Sequence, residues 1–183
     1  MTIRHYMEKD KEDIRHICWV TAKEGLNHDQ GLLYTIACDY YINEEPENIF
    51  VAADGDDRAI GYILCSSDTK KHIRIYKKKY FKLLAAYDKK KVRGKRFEFL
   101  FVGAVSYFYP AHLHIDILPE YQRMGLGRKL VETLAEYLKS IGCKGLYLTV
   151  SADNPKAVAF YRKVGFEEKL NLFGKGFLFA MKL

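Results

Sequence analysis

The chain has 183 residues, with 30 Lys or Arg against 23 Asp or Glu and a formal net charge of +7. That length is sufficient for a hydrophobic core, and we expect residues 1–183 to form a single domain. No run of about 18 apolar residues is present, so we expect no membrane-spanning helix.

The chain begins with a predicted strand and helix. Weak alternation indicates a strand over residues 2–7. Asp10 is placed to cap a helix over residues 11–23, which Gly25 and Asn27 would end.

A second helix and a β-hairpin are predicted next. The helix covers about residues 32–41, and Pro46 ends that region. Strands over residues 48–53 and 59–66 flank Asp54-Gly55-Asp56-Asp57, which is typical of a hairpin turn.

The segment from Thr69 to Arg96 concentrates the positive charge. It holds thirteen Lys or Arg against one acidic residue, Asp88, so it carries +12 and the rest of the chain −5. Apolar residues at helical steps predict one amphipathic basic helix with a basic tail. Two interpretations remain: a solvated surface helix, and attraction to an acidic or phosphorylated partner. Nucleic acid is less favoured, because no recognised binding motif accompanies the charge.

The stretch from Phe97 to Tyr109 is strongly apolar and aromatic. It is compatible with a strand or with a loop packed near a pocket. Core packing is the usual role of such side chains, and an aromatic ligand pocket is the alternative.

An apolar strand over residues 112–118 leads into a glycine loop, Gln122-Arg123-Met124-Gly125-Leu126-Gly127-Arg128. A helix begins at once. Its apolar residues recur at steps of three or four: Leu126, Leu130, Val131, Leu134, Leu138 and Ile141. Gly142 is placed to end it in a left-handed conformation.

This strand–loop–helix unit predicts a site for a pyrophosphate. Gly125 and Gly127 lack a Cβ, so backbone N–H groups can approach a ligand closely. Free N–H groups at the helix start attract anions, and Arg123 and Arg128 add positive charge. A Rossmann site would need a third glycine where Leu130 stands, and a P-loop would need G-K-[ST], which is absent.

Three polar residues share one face of the strand before this loop. His112, His114 and Asp116 alternate along it. His114 is able to titrate near neutrality and Asp116 carries a carboxylate, so either is a candidate general base. A metal site is not favoured, because positions i, i+2 and i+4 of one strand rarely complete a ligand shell.

A second motif follows a predicted strand over residues 145–150. It reads Asn154-Pro155-Lys156-Ala157-Val158-Ala159-Phe160-Tyr161-Arg162-Lys163-Val164-Gly165-Phe166, and Asn154 is placed to cap a helix beginning at Pro155. Two further strands are predicted over residues 167–172 and 176–182.

The patterns Gln122-x-x-Gly125-x-Gly127 and Asn154-x6-Tyr161-x3-Gly165-Phe166 together resemble the GCN5-related N-acetyltransferases, the GNAT superfamily, over about residues 111–168. The resemblance implies an α/β fold with a mixed, centrally splayed sheet flanked by helices. The basic segment, about residues 69–96, would then be a helical insertion before the central strand.

The resemblance also implies a chemistry, in which an amine attacks acetyl-coenzyme A directly. Backbone groups of Ile115, Asp116 and Ile117 would pair with the pantetheine arm, and Asn154 would contact the coenzyme. Tyr161 would protonate the leaving thiolate, and His114 or Asp116 would be the base. The pyrophosphate would be held by the loop residues Gln122, Arg123, Met124, Gly125, Leu126, Gly127 and Arg128.

The partners expected from this resemblance are acetyl-coenzyme A as co-substrate and an unidentified amine acceptor, with no metal and a monomer or homodimer. The alternative is a coenzyme-binding module that lacks transfer and binds an acidic partner through its basic helix. Cys18, Cys38, Cys65 and Cys143 are scattered without a C-x-x-C pair, which indicates buried reduced thiols. With no apolar run typical of a signal peptide near Met1, we expect a cytoplasmic protein.

Overall fold

The computed structural model describes residues 1–22, 29–172 and 174–183. The strands are β1 (Thr2–His5), β2 (Phe50–Ala53), β3 (Ala59–Ser66), β4 (Ala111–Ile117), β5 (Gly145–Ser151), β6 (Glu167–Asn171) and β7 (Gly176–Lys182). The helices are α1 (Lys11–Thr21), α2 (Gln30–Ala37), α3 (Asp39–Glu44), α4 (Thr69–Ile75), α5 (Phe81–Tyr87), α6 (Lys89–Val105), α7 (Leu126–Ser140) and α8 (Pro155–Lys163).

The strands form a mixed sheet in the order β1-β2-β3-β4-β5-β7-β6. β4 and β5 are parallel neighbours, whereas the other neighbouring pairs are antiparallel. A parallel pair needs a long crossover, and α7 provides it between β4 and β5. The predicted α/β fold with a mixed sheet and flanking helices is confirmed.

Helix α7 covers one face of the sheet. Its apolar side chains Leu126, Leu130, Val131, Leu134 and Leu138 are buried there, each contributing about 1.5–3 kcal/mol of hydrophobic transfer free energy. Ile141 was expected on the same face but is 50% exposed, because α7 ends at Ser140. Gly142 has a φ of 77°, the left-handed conformation predicted there.

The other face is covered by α1 to α6, and the predictions for the early helices need correction. Asp10 does not cap α1 through its side chain; its carboxylate accepts from Arg4 and from the backbone N–H of Met7. The single helix predicted over residues 32–41 is divided into α2 and α3 at Cys38, whose φ of −131° is not helical. Gly25 and Asn27, predicted to end the first helix, lie outside the described residues.

Residues 69–105 form a helical hairpin, here called the basic hairpin. α4, a π-helical turn over Tyr76–Tyr80 and α5 make its first arm, and α6 packs back against both helices. The two arms separate at Asp88, whose backbone is extended. Its side chain caps α6 by accepting from the N–H of Lys90 at 2.7 Å. The prediction of one helix with a basic tail is therefore wrong, although the segment is helical.

The prediction of a strand or loop for the aromatic stretch is also wrong up to residue 105, because α6 continues through it. Phe99 holds this helix against the first arm by stacking on Phe81, with ring centroids 5.9 Å apart. Phe97 and Leu100 lie on the opposite face and are 74% and 77% exposed.

The remaining predictions concern the two hairpins, the thiols and membrane spans. β2 pairs antiparallel with β3, as expected, and the two predicted C-terminal strands, β6 and β7, also pair antiparallel. Cys18, Cys38 and Cys65 are buried and free, whereas Cys143 is free but only half-buried, which corrects the expectation for that thiol. Across the described ranges, no helix is long and apolar enough to cross a bilayer.

Candidate active site

The sheet opens between its two parallel central strands. β4 and β5 pair at Ala111 with Leu146 and at His112 with Tyr147, and their register extends no further. Leu118 donates to the carbonyl of Ile60 on β3 at 3.0 Å, so the amides of alternate residues of β4 bond toward β3. Ile115 and Ile117 therefore turn their backbone groups toward the opening, whereas Asp116 turns its own toward β3.

A cavity of about 410 Å³ extends from this opening under the basic hairpin. Side chains of β4 and β5 form one wall, α1 to α3 another, and α4 and α6 a third. The polar and aromatic lining residues include Tyr40, Tyr41, Thr69, His72, Lys95, Glu98, Phe99, His112, His114, Asp116, Tyr147 and Thr149. The expected alternation of His112, His114 and Asp116 on one strand face places all three here.

Asp116 connects two of its neighbours through one oxygen. Its Oδ2 accepts a hydrogen bond from the Tyr62 hydroxyl at 2.8 Å and lies 3.0 Å from Nε2 of His114. Burial acts to lower the pKa of His114, but the charge and hydrogen bond of Asp116 outweigh it, and the pKa is raised. The imidazole lies deep in the protein, yet 43% of its side chain is exposed because it faces the cavity. This pair is able to accept and hold a proton.

His112 has a structural role. Its Nδ1 lies 3.0 Å from the Thr69 hydroxyl and its Nε2 lies 3.0 Å from the Tyr41 hydroxyl. Burial lowers its pKa to about 3, so it is neutral. Both ring nitrogens are occupied, so His112 has none left for a metal or a substrate. Within the described residues, no group of three His, Cys, Asp or Glu has the arrangement of a metal site.

The glycine loop precedes the N-terminus of α7 and has an unusual backbone. Arg123 and Gly125 both have positive φ, 64° and 82°. A Cβ added at Gly125 would meet no heavy atom within 4 Å, so the space beside it is open. Left-handed residues within a turn can direct successive N–H groups to one point, which creates an anion-binding concavity. Gln122 fixes the loop to β4 by donating to the carbonyl of Ile117 at 2.9 Å.

Gly127 and Arg128 have structural contacts of their own. A Cβ on Gly127 would lie 3.1 Å from the Phe160 ring, so this glycine lets α8 approach α7. Arg128 donates to the backbone carbonyl of Lys163 at 3.2 Å and lies near Glu132. The sequence analysis assigned both residues to the anion site only, because the local sequence does not show that α8 packs against α7.

Asn154 and Tyr161 belong to α8. The Asn154 side chain accepts from the N–H of Ala157 at 3.1 Å, which confirms the predicted helix cap. Tyr161 is buried beside Phe160 and Phe166 and lies outside the set of described residues that line the cavity. Burial, followed by the charge of Asp116, raises the pKa of Tyr161, so the phenol is protonated at neutral pH.

His72 is a cavity residue that the sequence did not indicate. It is buried at 4% exposure, and its Nδ1 finds no hydrogen-bond partner in the described part of the chain. Its position in a basic segment suggested a surface residue. The sequence gives no signal for its burial beyond the apolar spacing of α4.

Comparison with known proteins identifies the architecture. Residues 11–166 match the model of the acetyltransferase (GNAT) family. The chain is 46% identical over 55 residues to ribosomal protein bS18-alanine N-acetyltransferase of Escherichia coli strain K12; this covers 30% of this chain and 37% of that protein's length. N-alpha-acetyltransferase 30 of Schizosaccharomyces pombe is 25% identical over 153 residues, or 84% of this chain and 77% of that protein.

The crystal structure of SsHAT is similar over nearly the whole molecule. Its TM-score is 0.87 at 29% identity, covering 99% of this chain and 97% of that one. The family model spans most of the chain and includes β4, β5, the glycine loop and α8. The chain belongs to the acetyltransferase (GNAT) family.

Proposed function

We propose that this chain transfers an acetyl group from acetyl-coenzyme A to a primary amine of a small molecule or peptide. The observation that carries the proposal is the opening between β4 and β5, beside a cavity that contains His114 and Asp116. We further propose that residues 1–183 are one transferase domain, with the basic hairpin as an insertion before β4.

The coenzyme would lie along the opening. The backbone edge of β4 at Ile115 and at the N–H of Ile117 is available to the amide groups of a pantetheine arm. The Ile117 carbonyl already accepts from Gln122, and Asp116 turns its backbone toward β3, so the backbone pairing expected of Asp116 is corrected. The N–H groups of the loop, Gln122, Arg123, Met124, Gly125, Leu126, Gly127 and Arg128, would hold the pyrophosphate at the α7 N-terminus. The open space at Gly125 supports this fit. Asn154 would combine its capping role with a coenzyme contact.

The proposed reaction needs a base and an acid. The amine nitrogen attacks the acetyl carbonyl carbon, the C–N bond forms and the C–S bond breaks. His114, held by Asp116, takes the amine proton, and Asp116 itself is the alternative base. Tyr161 gives its proton to the thiolate, because a phenol is protonated at neutral pH and is able to donate. Burial raises its pKa, which makes it a weaker acid than an exposed phenol. None of these steps requires a metal.

Release of free thiol from acetyl-coenzyme A, measured across a panel of amines and peptides, tests this proposal. We expect release with at least one acceptor, and we expect Tyr161→Phe to lower kcat by about 10²–10⁴ while coenzyme affinity is retained. Tyr137→Phe is the matched control. It also removes one tyrosine hydroxyl, but Tyr137 lies on α7, away from Tyr161 on α8, and its hydroxyl bonds to Asn48. Equal rates in Tyr161→Phe and the wild type would remove Tyr161 from the chemistry.

A second function is favoured by the surface of the basic hairpin. Eleven of its thirteen Lys and Arg residues between positions 69 and 96 are exposed. A coenzyme-binding module could use this surface to bind an acidic protein partner; nucleic acid remains less favoured for lack of a known motif. Coenzyme binding without thiol release for any acceptor would support the module.

The free thiols support a reducing compartment, so we propose a cytoplasmic location. We also propose that the protein is a monomer or a homodimer.

A further inference from the structure

An apolar stripe on the outer face of α6 has no role in the proposed transfer. Phe97 and Leu100 are 74% and 77% exposed, and the exposed Ala104 lies on the same helix face. Tyr107 and Phe108, which are 76% and 69% exposed, extend the stripe into the turn after the helix, where their rings lie 5.1 Å apart. Four large apolar side chains exposed within one short stretch of chain mark a contact surface.

Basic side chains border this stripe. α6 carries six Lys or Arg, and its single acidic residue, Glu98, lines the cavity and is paired with Lys95 at 2.9 Å. Arg93 is exposed one helical turn before Phe97 on the same face, and the exposed Arg96 adjoins it. The outer face of α6 therefore combines apolar and cationic side chains.

A groove beside the stripe brings the two kinds of side chain together. It lies between the first arm of the basic hairpin and α6, and it is lined by Lys77, Phe81, Arg96 and Leu100. The guanidinium carbon of Arg96 lies 5.6 Å from the centroid of the Phe81 ring. Within the described ranges, neither Lys77 nor Arg96 forms an ion pair. Two unpaired cations beside two apolar side chains suit an anionic head group with a hydrocarbon part.

The chemistry of the stripe favours a lipid surface over a second copy of the chain or a nucleic acid. Two copies joined through the stripe would bring two cationic hairpins together, and like charges repel. Leu100 and Ala104 have no ring on which a base could stack, although stacking is a main contribution to binding of single strands. By contrast, helices that lie on bilayers place Phe and Leu on one face with Lys and Arg beside them.

We propose that the outer face of α6 docks the protein on an anionic phospholipid membrane. The apolar side chains of the stripe enter the head-group region, and the basic side chains beside it meet the negative lipid groups. The inference goes beyond acetyl transfer and does not depend on it, because the cavity is lined by the opposite face of α6, at Phe99 and Val102.

Co-sedimentation of the full chain with vesicles tests the docking. We expect binding to phosphatidylcholine vesicles that contain about 30% phosphatidylserine, and binding about tenfold weaker to phosphatidylcholine alone. Phe97→Ser combined with Leu100→Ser should weaken binding to the anionic vesicles about tenfold, because both side chains leave water on docking. Ile141→Ser combined with Leu170→Ser is the matched control. These side chains are 50% and 44% exposed after α7 and on β6, and their loss should leave binding unchanged.

Two further measurements separate insertion from simple charge attraction. The chain has one tryptophan, Trp19, on α1. Emission of Phe97→Trp should therefore move to shorter wavelength with the anionic vesicles, whereas that of the wild type should not. Arg93→Gln combined with Arg96→Gln should weaken binding, and so should added salt.

Three results would overturn the proposal. The first is equal vesicle binding, or none, in the wild type and the Phe97→Ser, Leu100→Ser variant. The second is a dimer in sedimentation that this variant loses, without vesicle binding, which would assign the stripe to a second copy. The third is affinity for a single-stranded RNA oligonucleotide that this variant loses, without vesicle binding, which would assign it to nucleic acid. Thermal unfolding of each variant verifies that it is folded.

Discussion

At the scale of single residues, the Tyr62–Asp116–His114 chain determines when the candidate base is active. Asp116 accepts from Tyr62 and lies beside His114, so its negative charge favours the imidazolium form. The pKa of His114 is raised, in spite of burial, for this reason. A base must be deprotonated to act, so the proposed rate rises with pH through this pKa.

Asp116→Asn should move this rising limb to lower pH. The substitution removes the charge that favours imidazolium, so His114 loses its proton at a lower pH than in the wild type. The measurement is kcat/KM for thiol release across pH 5–9. If Asp116 were itself the base, the plateau would instead fall by about 10²–10⁴.

Tyr62→Phe is the matched control for this experiment. It removes a hydrogen bond to the same oxygen but leaves the carboxylate charge in place, so the limb should not move to lower pH. An Asp116→Asn profile with the limb at its wild-type position would show that another group controls it.

Some of these residues could be predicted from the sequence, because the pattern that identifies them lies within a single strand. The two-residue period of a strand places His114 and Asp116 on one face without knowledge of the rest of the fold. The hydrogen bonds of His112 and the burial of His72 depend on residues more than 30 positions away, such as Tyr41 and Tyr40. No local pattern contains such contacts.

At the scale of elements, β4, the glycine loop and α7 were predicted well because each contains its own signal. α7 has a complete apolar face, a glycine start and a glycine stop. α6 was predicted poorly, because Phe97, Phe99 and Phe101 alternate at a period of two and imitate a strand. Packing of Phe99 against Tyr76 and Phe81 selects the helix instead, which is a tertiary effect.

Asn154 at the start of α8 allows its two roles to be separated. Asn154→Ala should lower the free energy of unfolding by about 1 kcal/mol, because the N–H of Ala157 loses its acceptor. Asn154→Asp should keep that stability, since aspartate is an equally good cap, but its charge should repel the coenzyme phosphates. Thermal unfolding and coenzyme titration of both variants provide the measurements.

Comparison of the two variants separates the capping role of Asn154 from its proposed coenzyme contact. If Asn154→Asp bound coenzyme as tightly as the wild type, the residue would be a cap alone. If Asn154→Ala were fully stable, the cap would contribute less than its geometry indicates.

At the scale of the whole molecule, positive charge is concentrated on the same element that walls the cavity. Residues 69–96 carry +12 and the remainder −5. The inner side of the basic hairpin contributes His72, Lys95 and Phe99 to the cavity, whereas its outer side exposes most of the lysines. A peptide acceptor with its amine in the cavity would therefore extend across or beside a cationic surface.

Acceptor peptides with acidic tails should therefore have a lower KM than otherwise identical peptides with neutral tails. Lys77 and Lys78 are exposed on the π-helical turn, whereas the neighbouring Lys79 is engaged by Glu44 at 2.8 Å. Exposed ion pairs contribute about 0.2–1 kcal/mol each, so we expect an advantage of a fewfold that decreases as salt is raised. Lys77→Glu combined with Lys78→Glu should remove or reverse this advantage.

Lys139→Glu combined with Lys175→Glu is the control, because it changes the net charge equally at exposed positions of α7 and the β6–β7 turn. If both double variants lost the acidic preference alike, net charge would be responsible and the hairpin would have no special role. If only the hairpin variant lost it, the attraction would be local.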